Sequence, residues 1–502
     1  MRLKPQLWLS AAIALGLFLR LFKLTPLFHF TMDEALLAFR GWGLFVLGRP
    51  FLIGGISPLQ VHLPPYFYYL SALFLPLSRF NPIAWGVVAA AIGLATLLSL
   101  FSLAKKLFTQ EFALIAVLLY ATSFTAVFFD RHFWPLVFNP LLTTLALLLL
   151  TKLKFKKVGP FWPYFWLGLV LVFAVSADPS NLMLLAAILL TYFIFRRRFN
   201  RRAVKGSLLV SLGLFVAPLL AFDLRHGWEN LRGVSRLFTN LSAKGFAVER
   251  IIDGLLLLPR SFARFWYSPQ TSLAELYSYC FPFAQGRQRQ LSWLLVVSAA
   301  ALLVWFIVKK FTSRKPAVKA IVVLLLTYFV GVVLFGVLGF SLFDHYLAGL
   351  LPVFALITAW VLTKLPRSLT YTLTAIIVAL NLFQVSRAHH PYGLSYKNQL
   401  VSWAQSELSG QPFALDSVSK CHRENGLRYL FELTDNPPVI SFMDSNFFWL
   451  YARPPVPEMP ERILLLTDKP LTSDLPVIAR QQFGAMTAYL LDNSTKTYKL
   501  SF

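Results

Sequence analysis

Cysteine is nearly absent from this chain: Cys280 and Cys421 are the two in 502 residues. No CxxC pair and no Cys/His cluster at metal-ligand spacing occurs, which excludes a zinc-ribbon or thiol-redox protein. Acidic residues are scarce as well, 22 against 47 Lys and Arg, leaving a net charge of +25. No Walker sequence, Gly-rich phosphate loop or dinucleotide fingerprint stands in its required context, so a nucleotide site is unsupported. Internal repeats are missing, neither solenoid nor inverted. No small-x-small cleavage site follows the first apolar run; Arg20 and Lys23 stand there instead, so that run is expected to stay as a first helix.

The chain is rich in apolar surface. Hydrophobic residues make up 57% and mean hydropathy is +0.63, above the roughly 45–50% apolar content of soluble domains. Phe alone accounts for 48 residues and aromatics for 16%, which suits interfacial belts and a cavity lined for sugar or lipid. The reading is an all-α polytopic membrane protein with about eleven spans, near 7–23, 82–104, 112–129, 134–151, 160–176, 181–195, 206–222, 291–308, 320–340, 346–363 and 368–385. Each is judged against the ~17–25 residues that cross a bilayer.

The charge pattern sets direction. One set of loops carries Lys105-Lys106, Lys152 to Lys157, Arg196-Arg197-Arg198 with Arg201, Arg202 and Lys205, Lys309-Lys310 with Arg314, Lys315 and Lys319, and Lys364 with Arg367. Short basic runs between apolar segments belong to the cytoplasmic side and argue against nucleic acid as the partner. The opposite set begins with Asp33-Glu34, Asp130, Asp178, Asp223 and Asp344. The expected topology has the N-terminus inside and the C-terminus outside.

The outer side holds a first loop from Leu24 to Asn81, a second from Asp223 to Gln290, and a tail. The division is a transmembrane domain over 1–386 and a small extracytoplasmic α+β domain over 387–502. The tail mixes a helical pattern from Arg423 to Leu433 with strand-like runs at 463–466 and 488–491. The apolar stretch after Pro64-Pro65 is expected to lie in the interface, because a full span there would turn every later basic loop outward. Both cysteines fall outside, where a disulfide is conceivable and inert free thiols are the expectation.

Several short motifs recur on the outer side: Met32-Asp33-Glu34-Ala35, Leu63-Pro64-Pro65-Tyr66 with Tyr68-Tyr69, Asp130-Arg131, Asn139-Pro140, and Asp344-His345-Tyr346 before Leu351-Pro352. In order, spacing and side, the chain resembles the C-type (GT-C) membrane glycosyltransferases, especially the bacterial lipid A aminoarabinose transferases and protein O-mannosyltransferases, over about the first 390 residues. The resemblance implies transfer of a sugar from a polyprenyl-phosphate carrier to a lipid, glycan or protein acceptor outside the cytoplasm, in the plasma (inner) membrane. It implies no organic cofactor and no nucleic-acid partner.

Transfer needs a base near an acceptor hydroxyl and a negative group near an oxocarbenium-like centre. Asp33 is the first candidate, with Glu34 and Asp130 behind it. Thr31-x-x-Glu34 also fits a helix capping box, which casts Glu34 as support. Asp130 has two readings, a second acid or the partner of Arg131 in a salt bridge, and the salt bridge is favoured. The departing phosphate needs cations or donors; Arg131, His345, Arg225 and His62 are the candidates, each also suited to headgroup contacts. Tyr66 with its neighbouring aromatics offers stacking surface for a sugar or an interfacial belt. Aminoarabinose transferases carry Lys before Pro-Pro, where this chain has Leu63, and Asp-Pro where it has Asn139-Pro140. A divalent ion on Asp33 and Asp130 stays open, though no cluster demands a metal. A lipid transporter or flippase and a non-catalytic scaffold are the alternatives to an enzyme.

Overall fold

The structure, a computed structural model, describes residues 5–57, 60–153, 160–243, 248–269, 271–272, 291–418, 425–456, 458–471 and 474–500. Cys280 and Cys421 both lie outside the described residues.

Apolar runs in lipid must satisfy their own backbone groups, and a helix does so within one segment. All eleven predicted segments are helical. The helices before the second large loop are α1 (Pro5–Leu21), α2 (Leu24–Leu27), α3 (Met32–Phe45), α4 (Tyr66–Ala72), α5 (Ile83–Leu107), α6 (Gln110–Thr122), α7 (Phe124–Phe129), α8 (Asn139–Lys152), α9 (Trp162–Ala177), α10 (Leu182–Phe195) and α11 (Arg201–Arg225). Then come α12 (Glu229–Ala243), α13 (Val248–Trp266), α14 (Trp293–Phe311), α15 (Pro316–Val337), α16 (Leu351–Leu362) and α17 (Arg367–Arg387). Among the described residues, eight helices are long and apolar enough to cross a membrane, counting short 3-10 turns that extend α8, α10 and α16. Three shorter apolar ones, α1, α6 and α9, complete the eleven segments. The chain is a multi-pass membrane protein.

The bundle has two unlike ends. Lys315 Nζ reaches the Leu107 carbonyl at 3.5 Å, Lys310 lies over the rings of Phe108 and Trp360, and Tyr371 donates to Glu111 at 2.7 Å. These contacts gather the basic ends of α5, α14 and α17 with the start of α6. The other end carries α3, α4 and the C-terminal residues. At seven residues, α4 is only about 10 Å long, too short to cross.

The second predicted loop is more than a loop. It contains α12 and α13, and α13 is packed into the bundle with Leu257, Leu258, Phe262, Ala263 and Phe265 buried. Phe262 stacks toward Phe354 of α16 at 5.0 Å, and a Cβ on Gly254 would fall 2.9 Å from the Val333 Cα of α15. Five charged residues interrupt this helix, which hides it from an apolar-run reading; one of them, Arg264, is ion-paired with Asp344 inside the fold.

After α17 the chain forms α18 (Leu394–Leu408) and a small domain with β1 (Phe413–Ser417), α19 (Leu427–Glu432), β2 (Ile440–Ser441), α20 (Asp444–Phe447), β3 (Arg462–Thr467), β4 (Val477–Phe483) and β5 (Met486–Asp492). The sheet order is β2-β1-β3-β5-β4, with β1 parallel to β2 and β3, and β5 antiparallel to β3 and β4. The two predicted strand-like runs are direct partners, Ile463 opposite Leu491 and Leu466 opposite Ala488. The domain docks on α3. Tyr429 packs edge-on to Phe39 at 5.1 Å and donates to the Phe80 carbonyl at 2.8 Å, and the Leu394 amide donates to Phe28 at 3.0 Å.

Candidate active site

The site is built on the first turn of α3. Glu34 closes a capping box: its carboxylate accepts the Thr31 amide at 2.8 Å and the Thr31 hydroxyl at 3.2 Å. His132 Nε2 meets the other carboxylate oxygen, and both residues are buried. Burial pushes the Glu34 carboxyl up, but His132 and the Thr31 amide outweigh it and hold it below its ordinary value. Both of its oxygens are thus engaged within the fold. Asp33, one residue earlier, is exposed.

Asp33 and Arg40, both on α3, act on one group that the loop folds back over that helix, the Tyr68 hydroxyl. Tyr68 of α4 is 8% exposed, and its hydroxyl comes so close to Gly55 that a Cβ there would collide with it. Burial pushes the Tyr68 phenol up to about 12, with Arg40 pulling it down and Asp33 pushing it up, so one charge of each sign acts on that hydroxyl. Arg40, two turns along α3 from Asp33, sits among aromatic faces: Phe51 at 5.3 Å, Tyr68 at 5.2 Å and Trp449 of the C-terminal domain at 5.3 Å. Its Nη1 donates to the Ile53 carbonyl at 2.8 Å. Its buried Nε has no partner among the described residues. His62 lies near enough for Arg40 to help hold its imidazole below the ordinary value, after burial itself. The His62 amide donates to Asn230 at 2.8 Å.

The remaining sequence candidates are placed elsewhere. Asp130 pairs with Arg20 and not with Arg131: Arg20 Nε and Nη2 reach Oδ2 at 2.9 and 2.5 Å, and Tyr120 donates to Oδ1 at 3.1 Å. Both ionic partners are buried. Arg131 donates to the carbonyls of Leu19, Phe22 and Lys23 at the end of α1, which ties it to that helix terminus. Asn139 is buried and accepts from Asn181 at 2.8 Å. His345 packs among Trp134, Phe343 and Tyr346 at 4.7–5.0 Å. Tyr66 donates to the Leu214 carbonyl at 2.5 Å, pinning α4 to α11. Arg225 is exposed at the end of α11.

Residues 62–222 match the family model described as dolichyl-phosphate-mannose-protein mannosyltransferase. The crystal structure of ArnT from Cupriavidus metallidurans in the apo state superposes with a TM-score of 0.63 at 11% identity, over 97% of this chain and 98% of that one. This chain has the C-type (GT-C) glycosyltransferase fold. The same ArnT bound to undecaprenyl phosphate gives a TM-score of 0.60 at 10% identity, over 97% of both chains. The Archaeoglobus fulgidus oligosaccharyltransferase in complex with Zn and sulfate gives 0.50 at 12% identity, over 91% of this chain and 67% of that one. No curated protein matches the chain in sequence.

Within this fold, His29, Glu34 and His132 form the one metal-capable group among the described residues, with donor atoms all within 4.8 Å of one another. Asp33 and Asp130, the pair the sequence left open for an ion, belong to no such group. Sequence reasoning missed Arg40, His29, His132 and His390 around the site. Arg40 had a signal, since i and i+7 share a helix face. The histidines had none, because their partners come from distant segments.

Proposed function

We propose that the chain is a membrane glycosyltransferase that takes a sugar from a polyprenyl-phosphate carrier. The carrying observation is the grouping of an exposed carboxylate, Asp33, with a caged guanidinium, Arg40, about the Tyr68 hydroxyl in a GT-C fold. Asp33 takes the proton of an acceptor hydroxyl as the oxygen attacks the anomeric carbon. The bond from that carbon to the carrier phosphate breaks, and its electron pair leaves with the phosphate. No acid is needed for the leaving group, which a guanidinium can stabilise. One displacement inverts the anomeric centre.

Arg40 takes the phosphate role that the sequence gave to Arg131, whose donors go to α1 carbonyls. Its Nε, without a partner among the described residues, and the nearby His62 supply donors where Leu63 stands in place of the lysine of aminoarabinose transferases. An apolar groove of about 450 Å³ between α9, α10 and α11, lined by Leu171, Leu185, Leu212 and Phe215 among others, suits a lipid-borne donor. The Tyr66 bond to Leu214 ties the rim of that groove to the loop holding Tyr68. The proposed orientation puts the basic end in the cytoplasm and α3, α4 and the C-terminal domain outside the plasma membrane, as the positive-inside rule requires.

The test is purified protein in nanodiscs, given a panel of polyprenyl-phosphate sugars and an envelope-lipid acceptor pool. The expected result is loss of one lipid-linked sugar by mass spectrometry, with a product whose mass names sugar and acceptor. Movement of intact carrier between leaflets without consumption would assign a flippase instead.

A further inference from the structure

Three of the chain's eight histidines, His29, His132 and His390, are buried around the start of α3, and the transfer chemistry accounts for none of them. His390 belongs to the segment joining α17 to α18, 361 residues from its contact His29. Their rings stack at 5.1 Å, and His29 lies edge-on to His132 at 4.8 Å. Charged groups at this cluster, among the described residues, include Glu34 and, from α18, Lys397, which donates to the Phe30 carbonyl.

The hydrogen bonds run in a line with one direction. The Tyr392 amide reaches His390 Nδ1 at 3.2 Å, His390 Nε2 meets His29 Nδ1 at 2.9 Å, His29 Nε2 meets Thr31 Oγ1 at 3.2 Å, and that hydroxyl reaches Glu34 Oε2 at 3.2 Å. An amide can only donate, so His390 Nδ1 accepts and a neutral His390 carries its proton on Nε2. That proton points at His29 Nδ1, which leaves the His29 proton on Nε2, facing Thr31. The Thr31 hydroxyl then donates to Glu34. Every donor in the line meets an acceptor, and the order is fixed at its far end by one backbone amide.

We propose that His390 is a positioning residue for the catalytic turn: through His29 it holds the Thr31–Glu34 capping box, and with it the place of Asp33. This rests on the reading of Asp33 as the base. It makes docking of the C-terminal domain a condition for an ordered first turn of α3, since Tyr392 and His390 take their places only when α18 packs on α2 and the Leu394 amide bonds to Phe28. The rival use of the cluster is a divalent ion on His29, Glu34 and His132. That ion would need a lone pair on a His29 ring nitrogen, and this order engages both: Nδ1 accepts from His390 and Nε2 donates to Thr31.

Two variants and two measurements on the wild type separate these ideas. His390→Phe keeps a ring against His29 but removes the donor; His390→Gln restores an N–H. The expected result is a fall of about 10–100-fold in kcat with KM little changed for His390→Phe, the scale of a small misplacement of a catalytic group, and recovery of most of it by His390→Gln. Equal turnover by His390→Phe and wild type, or failure of both variants alike, overturns the proposal. Solid-state NMR of ¹⁵N-histidine protein in bilayers reads the tautomers without any turnover, so it stands even where a variant does not fold. Neutral rings with the proton on Nε2 at His29 and His390 are expected; a proton on Nδ1 of either overturns the line. Elemental analysis of the same sample is expected to show no bound metal, and one equivalent of a divalent ion would assign the rival. Should Asp33→Asn turn over normally while the tautomers are as described, the base assignment fails and the hydrogen-bonded line survives.

Discussion

Asp130→Asn should cripple folding and leave the chemistry of whatever folds intact. The carboxylate is buried beside Arg20, which spends Nε and Nη2 on it and Nη1 on the carbonyls of Gly16 and Ala121, at 2.9 and 3.2 Å. Gly93 makes room: a Cβ there would lie 2.5 Å from Arg20 Nε and 2.9 Å from Asp130 Oδ2. The amide keeps shape but not charge, so a guanidinium is left unneutralised between α1, α5 and α6. Breaking a buried pair from one side costs about 3–5 kcal/mol, or roughly two to four decades in the folding equilibrium. Replacing both partners with apolar residues of similar size is often neutral or stabilising, so Arg20→Met combined with Asp130→Leu should recover most of the loss. The assay is thermal unfolding in detergent followed by size exclusion, with turnover per folded molecule measured alongside. A fully stable Asp130→Asn that has lost turnover would refute the reasoning and return Asp130 to the catalytic set.

Arg40→Ala should weaken productive use of the lipid-linked sugar by about 10–100-fold, the ~1.5–3 kcal/mol of a hydrogen bond to a charged group, with Arg40→Lys intermediate because an ammonium lacks the planar fork; kinetics with a purified donor would show it, and wild-type kinetics in Arg40→Ala would remove the phosphate role. Glu34→Gln should destabilise the protein at neutral pH. The folded Glu34 carboxyl sits below its ordinary value of 4.5, so its contribution is complete above that value and is lost as pH falls through the depressed one. The gap in unfolding temperature between variant and wild type should therefore close on acidification from pH 7 to below 4.5, and a gap that widens would reverse the assignment.

The membrane helices were legible because lipid leaves the backbone one local way to satisfy itself, so apolar length alone locates α5, α11 or α15. The helix α13 was not, because its arginines look solvent-facing in one dimension and only the fold supplies Asp344 as a partner for Arg264. The same holds for Arg20, which reads as the polar end of a first helix and is in fact buried against a residue 110 positions away. At the site, the Thr31–Glu34 capping box was readable because its partners are three residues apart. The strand pairing of 463–466 with 488–491 was half-readable, since a short continuous apolar run marks a buried strand but not its register. The aromatic cage of Arg40 needs Trp449 from the far end of the chain, and the His29–His390 contact spans 361 residues. No single-sequence pattern carries such pairings.

Asp33 carries the proposed chemistry, and a single-turnover measurement tests its role. Wild type and Asp33→Asn, both shown to be folded, would be mixed in nanodiscs with the lipid-linked sugar that the panel identifies, and its disappearance followed in time. Asp33→Asn is expected still to bind the carrier and to slow its consumption by about 10²–10⁴-fold, the usual contribution of a general base. Consumption by Asp33→Asn at the wild-type rate would contradict it.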